Sequence, residues 1–260
     1  MSARITIGIP TFNRLNTLKR CVAHLKTLDD SFDIKFLIID NCSTDGSFKY
    51  LQDSTERKKF RIFQNSNNIG FSGNTIELIK KCDTDYLLWC PDEDHVIKEN
   101  LSNLLEFIEK NSPSLICPQY FIDKTLYRGK RTTKKINPSE LWNSVGHLPG
   151  IIFHIPTCDQ ILKEINFFKA NFPLTYKYYP QIFFALISFL EENCFYWNKP
   201  ICKQVIEEIE THDFDDYGDS YDGLNIRWKI HKEMVNLLKI FLSQYKNKSV
   251  SKKILDRKST

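Results

Sequence analysis

Ile5-Thr6-Ile7-Gly8-Ile9-Pro10-Thr11-Phe12-Asn13-Arg14 is a β-branched run that breaks at a proline into polar turn residues. Branched side chains favour a pleated, buried strand, so the break sets Thr11, Asn13 and Arg14 at its carboxyl end. The next stretch has another period. Leu18, Cys21, Val22, Leu25 and Leu28 recur every three or four residues, as one buried helix face requires. A second apolar run at 35–40 closes a strand–helix–strand unit, and residues 60–65, 85–90 and 115–120 read as further strands. Leu101, Leu104, Leu105 and Ile108 form another helical stripe. Strands alternating with amphipathic helices predict an α/β fold, with a mostly parallel sheet covered by helices across residues 1–120.

Beyond that half the pattern becomes irregular. Residues 121–216 hold a basic loop at 124–135 and an aromatic-rich segment at 167–189, and are read as a smaller half continuous with the first. Residues 211–223, with five Asp and two Gly among few apolar residues, read as a linker or mobile loop. The last part, 217–260, is expected to hold a helix with Leu224, Trp228, His231, Val235, Leu238 and Leu242 on one stripe, followed by a polar tail.

Bulk properties narrow the function. With 260 residues, 42% of them hydrophobic, the chain can fill a sizeable core. A net charge of +4 is too mild to make nucleic acid the main partner. The eight cysteines form no C-x-x-C pair and lie mostly in apolar runs, which reads as reduced core thiols in a cytoplasmic protein. The first ten residues lack the features of a signal peptide, and the apolar run at 182–190 is far short of the roughly 20 residues that span a bilayer.

In parallel α/β sheets ligands bind where the strands end, so the residues just beyond each strand are the informative ones. They are Pro10-Thr11-Phe12-Asn13-Arg14, then Asp40-Asn41-Cys42-Ser43-Thr44-Asp45-Gly46, then Asn68-Ile69-Gly70-Phe71-Ser72-Gly73-Asn74, then Pro91-Asp92-Glu93-Asp94-His95. Any one alone is ordinary turn chemistry. As a set, in this order and spacing, they resemble the family 2 glycosyltransferases. The resemblance covers about residues 3–120.

That resemblance implies a GT-A fold: a Rossmann-like nucleotide-binding half, an acceptor half at 121–216 and a C-terminal helix. It implies a nucleotide-sugar donor, with UDP expected, and a saccharide or lipid-linked saccharide acceptor. Donor contacts fall on Pro10, Thr11, Asn13, Arg14, Asp40, Asn68, Gly70, Asn74, Asp92 and Glu93. Asp40 can accept a uracil N3–H or a ribose hydroxyl, or it can simply close an Asx turn. Gly70 and Gly73 can admit the nucleotide close to the backbone, or cap the helix. Asp92 and Asp94, two apart, would project to one side of an extended segment and share a hard cation, Mn²⁺ or Mg²⁺. By resemblance Asp94 is the direct ligand. The plain alternative is a solvated acidic loop.

The acceptor half departs from the family pattern. Gly146-His147-Leu148-Pro149-Gly150-Ile151-Ile152-Phe153 resembles its earlier element, but where a Glu-Asp pair usually supplies the base stands Tyr179-Pro180-Gln181. That departure resembles an abequosyltransferase-like branch of surface polysaccharide synthesis. The catalytic base is left open among Asp159, Glu191, Glu192 and Asp215. His95, His147 and His154 are near the expected site, although a lone histidine is more often structural. A sugar-1-phosphate nucleotidyltransferase is rejected because residues 10–14 contain no glycine. A catalytically silent nucleotide-sugar-binding or scaffold protein is the alternative. The tail, with Lys246, Lys248, Lys252, Lys253, Arg257 and Lys258 against Asp256, is read either as a peripheral contact with anionic membrane or as a solvated end.

Overall fold

The structure is a computed structural model that describes residues 5–28, 33–54, 59–122, 125–205 and 223–244. The expected basic tail, Asp215 and most of the acidic linker lie outside these residues.

The amino-terminal half builds as its periodicity predicts. Strand β1 (Ile5–Thr11) leads through helix α1 (Leu15–Lys26) to β2 (Ile34–Asp40), then α2 (Ser47–Ser54), β3 (Phe60–Gln64), α3 (Gly70–Lys81) and β4 (Tyr86–Trp89). The order β3-β2-β1-β4 is parallel throughout, with Ile5 opposite both Ile34 and Tyr86. Crossover helices cover both faces, so the central strands are buried on both sides and read as continuous apolar runs. A short β5 (Asp94–Val96) precedes α4 (Leu101–Asn111), whose Leu101, Leu104 and Ile108 are buried as their spacing predicts.

The chain from 115 onward is more regular than its composition implies, and it extends the same sheet. Strand β6 (Leu115–Ile122) forms a hairpin with β7 (Thr125–Arg128), and β8 (Lys134–Lys135) lies at the sheet edge. Helix α5 (Leu141–Val145) leads to β9 (Ile152–His154), which inserts antiparallel between β4 and β6. Then come α6 (Ile155–Asn171), α7 (Pro173–Tyr178), α8 (Gln181–Leu190), β10 (Cys194–Pro200) and β11 (Cys202–Gln204). Strand β10 runs parallel to β6, whereas β11 pairs with β5 in a separate two-stranded sheet.

Two apolar layers hold this sheet. One packs Phe36, Ile38, Leu88 and Trp197 under α1 and α4; the other packs Phe153, Phe168, Phe183 and Phe184 among α5, α6 and α8. Every residue of α8 is buried, so it has no polar face and hence no helical period to read.

The last helix, α9 (Leu224–Gln244), corrects the expected stripe. Leu224 is 85% and Trp228 59% exposed, and it is Ile230, Leu237, Leu238 and Phe241 that pack inward. All eight cysteines are free thiols, six of them buried. No helix among the described residues is long and apolar enough to cross a membrane.

Candidate functional site

The carboxyl ends of β1, β2, β3, β4 and β6 open on one edge of the sheet, and the four motifs meet there. The first two loops are knitted together by short side chains. The Asn13 side chain accepts the Thr44 amide at 2.8 Å, the Asn13 amide donates to Ser43 Oγ at 2.8 Å, and Asp45 accepts the Leu15 amide at 2.8 Å. Asn13 and Cys42 both have positive φ, a conformation costly for side chains other than glycine and common at functional loops.

Asp40 closes the Asx turn and keeps one oxygen unused by the protein. It is fully buried, and Oδ2 accepts the Ser43 amide at 3.0 Å and the Gln64 amide side chain at 2.9 Å, closing the Asx turn. Oδ1 is also buried and has no protein partner, an arrangement a ligand donor would complete.

The third motif is first of all a scaffold of asparagines. Asn41 Nδ2 donates to Asn68 at 2.7 Å, and Asn65 Nδ2 donates to Asn41 at 2.9 Å and to Asn74 at 3.1 Å. Asn74 in turn donates to the Ile39 carbonyl at 3.1 Å, while Asn68 accepts the Gly70 amide at 2.9 Å. Asn74 is therefore buried and bound to protein partners, and Asn68 lies at the exposed surface. Gly70 opens α3 at φ +74, where a side chain would be strained, and a Cβ on Gly73 would meet Ile69 at 2.9 Å.

The acidic motif is a turn, not the extended segment expected from its spacing. Residues 92 and 93 form the turn and β5 begins at Asp94, so the two aspartates take different partners. Asp92 accepts Thr11 Oγ1 at 2.7 Å and Arg14 at 2.9 Å, and Glu93 also pairs with Arg14. Both oxygens of Asp94 accept the Tyr120 hydroxyl from β6, at 3.1 and 2.9 Å. Burial, helped by repulsion from Glu93 and Asp92, lifts the Asp94 carboxyl to about 7 despite the Tyr120 bond. Burial also raises Asp92, against the pull of Arg14 and Thr11. Burial works against the Arg14 charge as well, yet Asp92 and Glu93 outweigh it and hold its pKa above the ordinary value.

These residues fit a divalent cation in donor type: two buried carboxylates, Asp92 paired with Arg14 and Asp94 bonded to Tyr120, beside a partly exposed Glu93. Among the described residues no three His, Cys, Asp or Glu side chains converge as a complete site, so substrate phosphates and waters would have to supply the remaining oxygens.

The remaining candidates separate clearly. His154 pairs with Tyr86 at the amino end of β4, and Asp159 is exposed near the start of the helix that follows it. Glu191 and Glu192 follow α8 just before Cys194, which lies opposite Leu115 at the amino end of β6. Asp159, Glu191, Glu192 and His154 therefore lie at the edge of the sheet away from the acidic turn. His95 stacks flat on His24, ring centroids 4.1 Å apart. His147 does reach the site, with its ring 4.5 Å from that of Tyr120. Where the resemblance leads one to expect a base, Gln181 is buried and donates to the Val145 carbonyl at 3.0 Å, with its Oε1 unpartnered.

Sequence reasoning missed Tyr120 and Arg128. Arg128 is 2% exposed, so it is no part of a solvated basic loop. It donates to the carbonyls of Pro118 at 3.0 Å, Pro149 at 2.6 Å and His147, clamping residues 147–149 to β6. Burial lowers its pKa, and its guanidinium lies over the Tyr120 ring at 5.8 Å. The only local signal in the sequence is that Arg128 closes the short run Thr125–Arg128, directly before Gly129.

The family model described as glycosyl transferase family 2 matches residues 6–166. Among solved structures, S. aureus TarS 1–349 in complex with UDP-GlcNAc superposes with TM-score 0.68 at 14% identity, covering 98% of this chain and 72% of that one. The same fragment in complex with UDP gives TM-score 0.64 at 14% identity, covering 98% and 71%. S. aureus TarS gives TM-score 0.63 at 15% identity, covering 95% of this chain and 40% of the other. No curated protein matches the chain.

Proposed function

The chain belongs to glycosyl transferase family 2, and from that premise we propose that it moves a sugar from a UDP-linked donor to a saccharide or lipid-linked saccharide, with inversion, in surface glycan synthesis. The observation that carries the donor reading is the pair of buried carboxylates at the carboxyl ends of parallel strands, facing loops whose Asp40 Oδ1 lacks a protein partner. The S. aureus TarS complexes with UDP and UDP-GlcNAc lend support through a shared fold.

In this reading Asp40 and the loops of Asn13 and Asn68 receive the nucleoside, and Asp94, with Asp92, would hold Mn²⁺ or Mg²⁺. Such an ion supplies electrostatic stabilisation of the departing diphosphate. Arg14 braces Asp92 and Glu93, and Tyr120 fixes the Asp94 carboxylate from the opposite side. No carboxylate stands where the family base is usual, which is the one observation favouring a silent nucleotide-sugar-binding protein. Release of UDP from a UDP-sugar by purified protein separates the two.

UDP with Mn²⁺ is expected to stabilise the fold over the ligand-free protein by about 2.7 kcal/mol at a hundred times the dissociation constant, and by more than either alone. A thermal-shift panel of nucleotides reads this directly. A larger shift with a guanine or cytidine nucleotide would sink the UDP assignment.

We also assign the basic tail at 246–258 to a peripheral contact with anionic membrane, where lipid-linked acceptors sit. Full-length protein should bind anionic liposomes at low salt several-fold better than protein truncated after residue 245, and equal binding would refute the contact.

A further inference from the structure

We infer that the exposed ring of Tyr127, braced by His147, is a stacking platform for a saccharide ring of the acceptor. This rests on the transfer reaction proposed above and gives the acceptor a contact residue. Tyr127 lies on the β6–β7 hairpin and is 59% exposed, with its neighbour Leu126 also exposed. A large aromatic ring left this open is a hydrophobic face with a polar tip, a chemistry suited to the mixed C–H and O–H surface of a sugar.

Its location gives the ring its meaning. Tyr127 meets His147 edge to face at 4.9 Å, His147 lies on Tyr120 at 4.5 Å, and the Tyr120 hydroxyl donates to Asp94. Three rings in contact thus run from the acidic turn to the surface. They leave on the β6 side, whereas the loops assigned to the nucleoside lie at the ends of β1 to β3, on the other side of β4. An acceptor must approach the transferred sugar from the side the nucleotide does not fill, and this aromatic run occupies that side.

The platform is also held rigidly. Arg128, next in sequence to Tyr127, grips the carbonyls of His147 and Pro149, so the strand carrying one ring fixes the loop carrying the other. A Cβ on Gly150 would approach the Arg128 guanidinium to 3.3 Å, leaving that loop little room to shift. Burial, with the Arg128 charge, keeps His147 neutral by lowering its pKa to about 4, so its ring offers the neighbouring tyrosines an uncharged face.

The test presents full-length protein, with UDP and Mn²⁺, to an array of immobilised mono- and oligosaccharides. Tyr127→Ala should lose at least tenfold in capture of the bound saccharides and Tyr127→Trp should retain it, with the UDP-induced melting shift unchanged in both. The ring is exposed, so its removal leaves the core intact. Equal capture by wild type and Tyr127→Ala, capture of no saccharide by a wild-type protein that binds UDP, or a Tyr127-dependent dimer in light scattering would overturn the platform. Absence of a UDP shift in the wild type strikes the donor assignment instead, and capture read without UDP then still decides the role of Tyr127.

Discussion

Asp94→Asn is expected to lower sugar transfer by at least about a hundredfold, on the order of 3 kcal/mol in the transition state, while leaving the ligand-free protein as stable as the wild type or more so. The two effects have one cause. Asp94 is 1% exposed, shares its turn with Asp92 and Glu93, and has a carboxyl raised from 3.8 to about 7. Between those values the fold holds a proton that the unfolded chain has released. The stability this contributes is present below about pH 4 and is lost as pH rises to about 7. Asparagine removes the titration and keeps an oxygen for the Tyr120 hydroxyl. Its gain over the wild type should therefore grow from pH 4 to pH 7 and reach about 1–3 kcal/mol above that. Melting curves at pH 5 and pH 8, with and without Mn²⁺ and UDP, read this beside the rate. A folded Asp94→Asn protein with undiminished transfer, or with an undiminished Mn²⁺ effect, would leave residues 92–94 as an ordinary acidic turn.

The four motifs could be read in the sequence because each follows a strand whose period is strong, and a strand end fixes where the next residues must point. The partners of those residues could not. Asn68 and Asn74 were expected as donor contacts from the family resemblance, yet Asn74 is bound to Ile39 and Asn65, and the network includes Asn41 and Asn65, which sequence reasoning left unassigned. Bonds across 24 to 35 residues of chain leave no local trace. Strand β9, three residues long, was invisible for a different reason: Ile152-Phe153-His154 is too short to show a period, and only its place between β4 and β6 makes it a strand. In α9 apolar residues occur on more than one face, so i, i+3, i+4 spacing fits several stripes. The contact with the phenylalanines of α6 and α8, seen in Phe241 against Phe168, selected the buried one.

Arg128→Met is expected to cost about 3–5 kcal/mol in stability, a large fraction of what holds a domain of this kind together. Burying a guanidinium is unfavourable in itself, and replacing a buried charge by an apolar side chain of similar length can be neutral or better when its partners leave with it. Here they stay. The carbonyls of Pro118, His147 and Pro149 would each lose a charge-assisted donor in a site closed to water, at about 1–3 kcal/mol apiece, and relief of the buried charge offsets only part of that sum. Arg128→Lys separates the terms, because an ammonium keeps the charge but cannot span three carbonyls in the fork geometry of the guanidinium. The lysine variant should therefore be no more stable than the methionine variant. If the charge itself were the stabilising feature, through its attraction to Asp94, lysine would recover most of the loss. Urea midpoints of the three proteins, measured at pH 8 where Asp94 is ionised, decide between the two, and a methionine variant within 1 kcal/mol of the wild type would show that the 147–149 loop does not need its clamp.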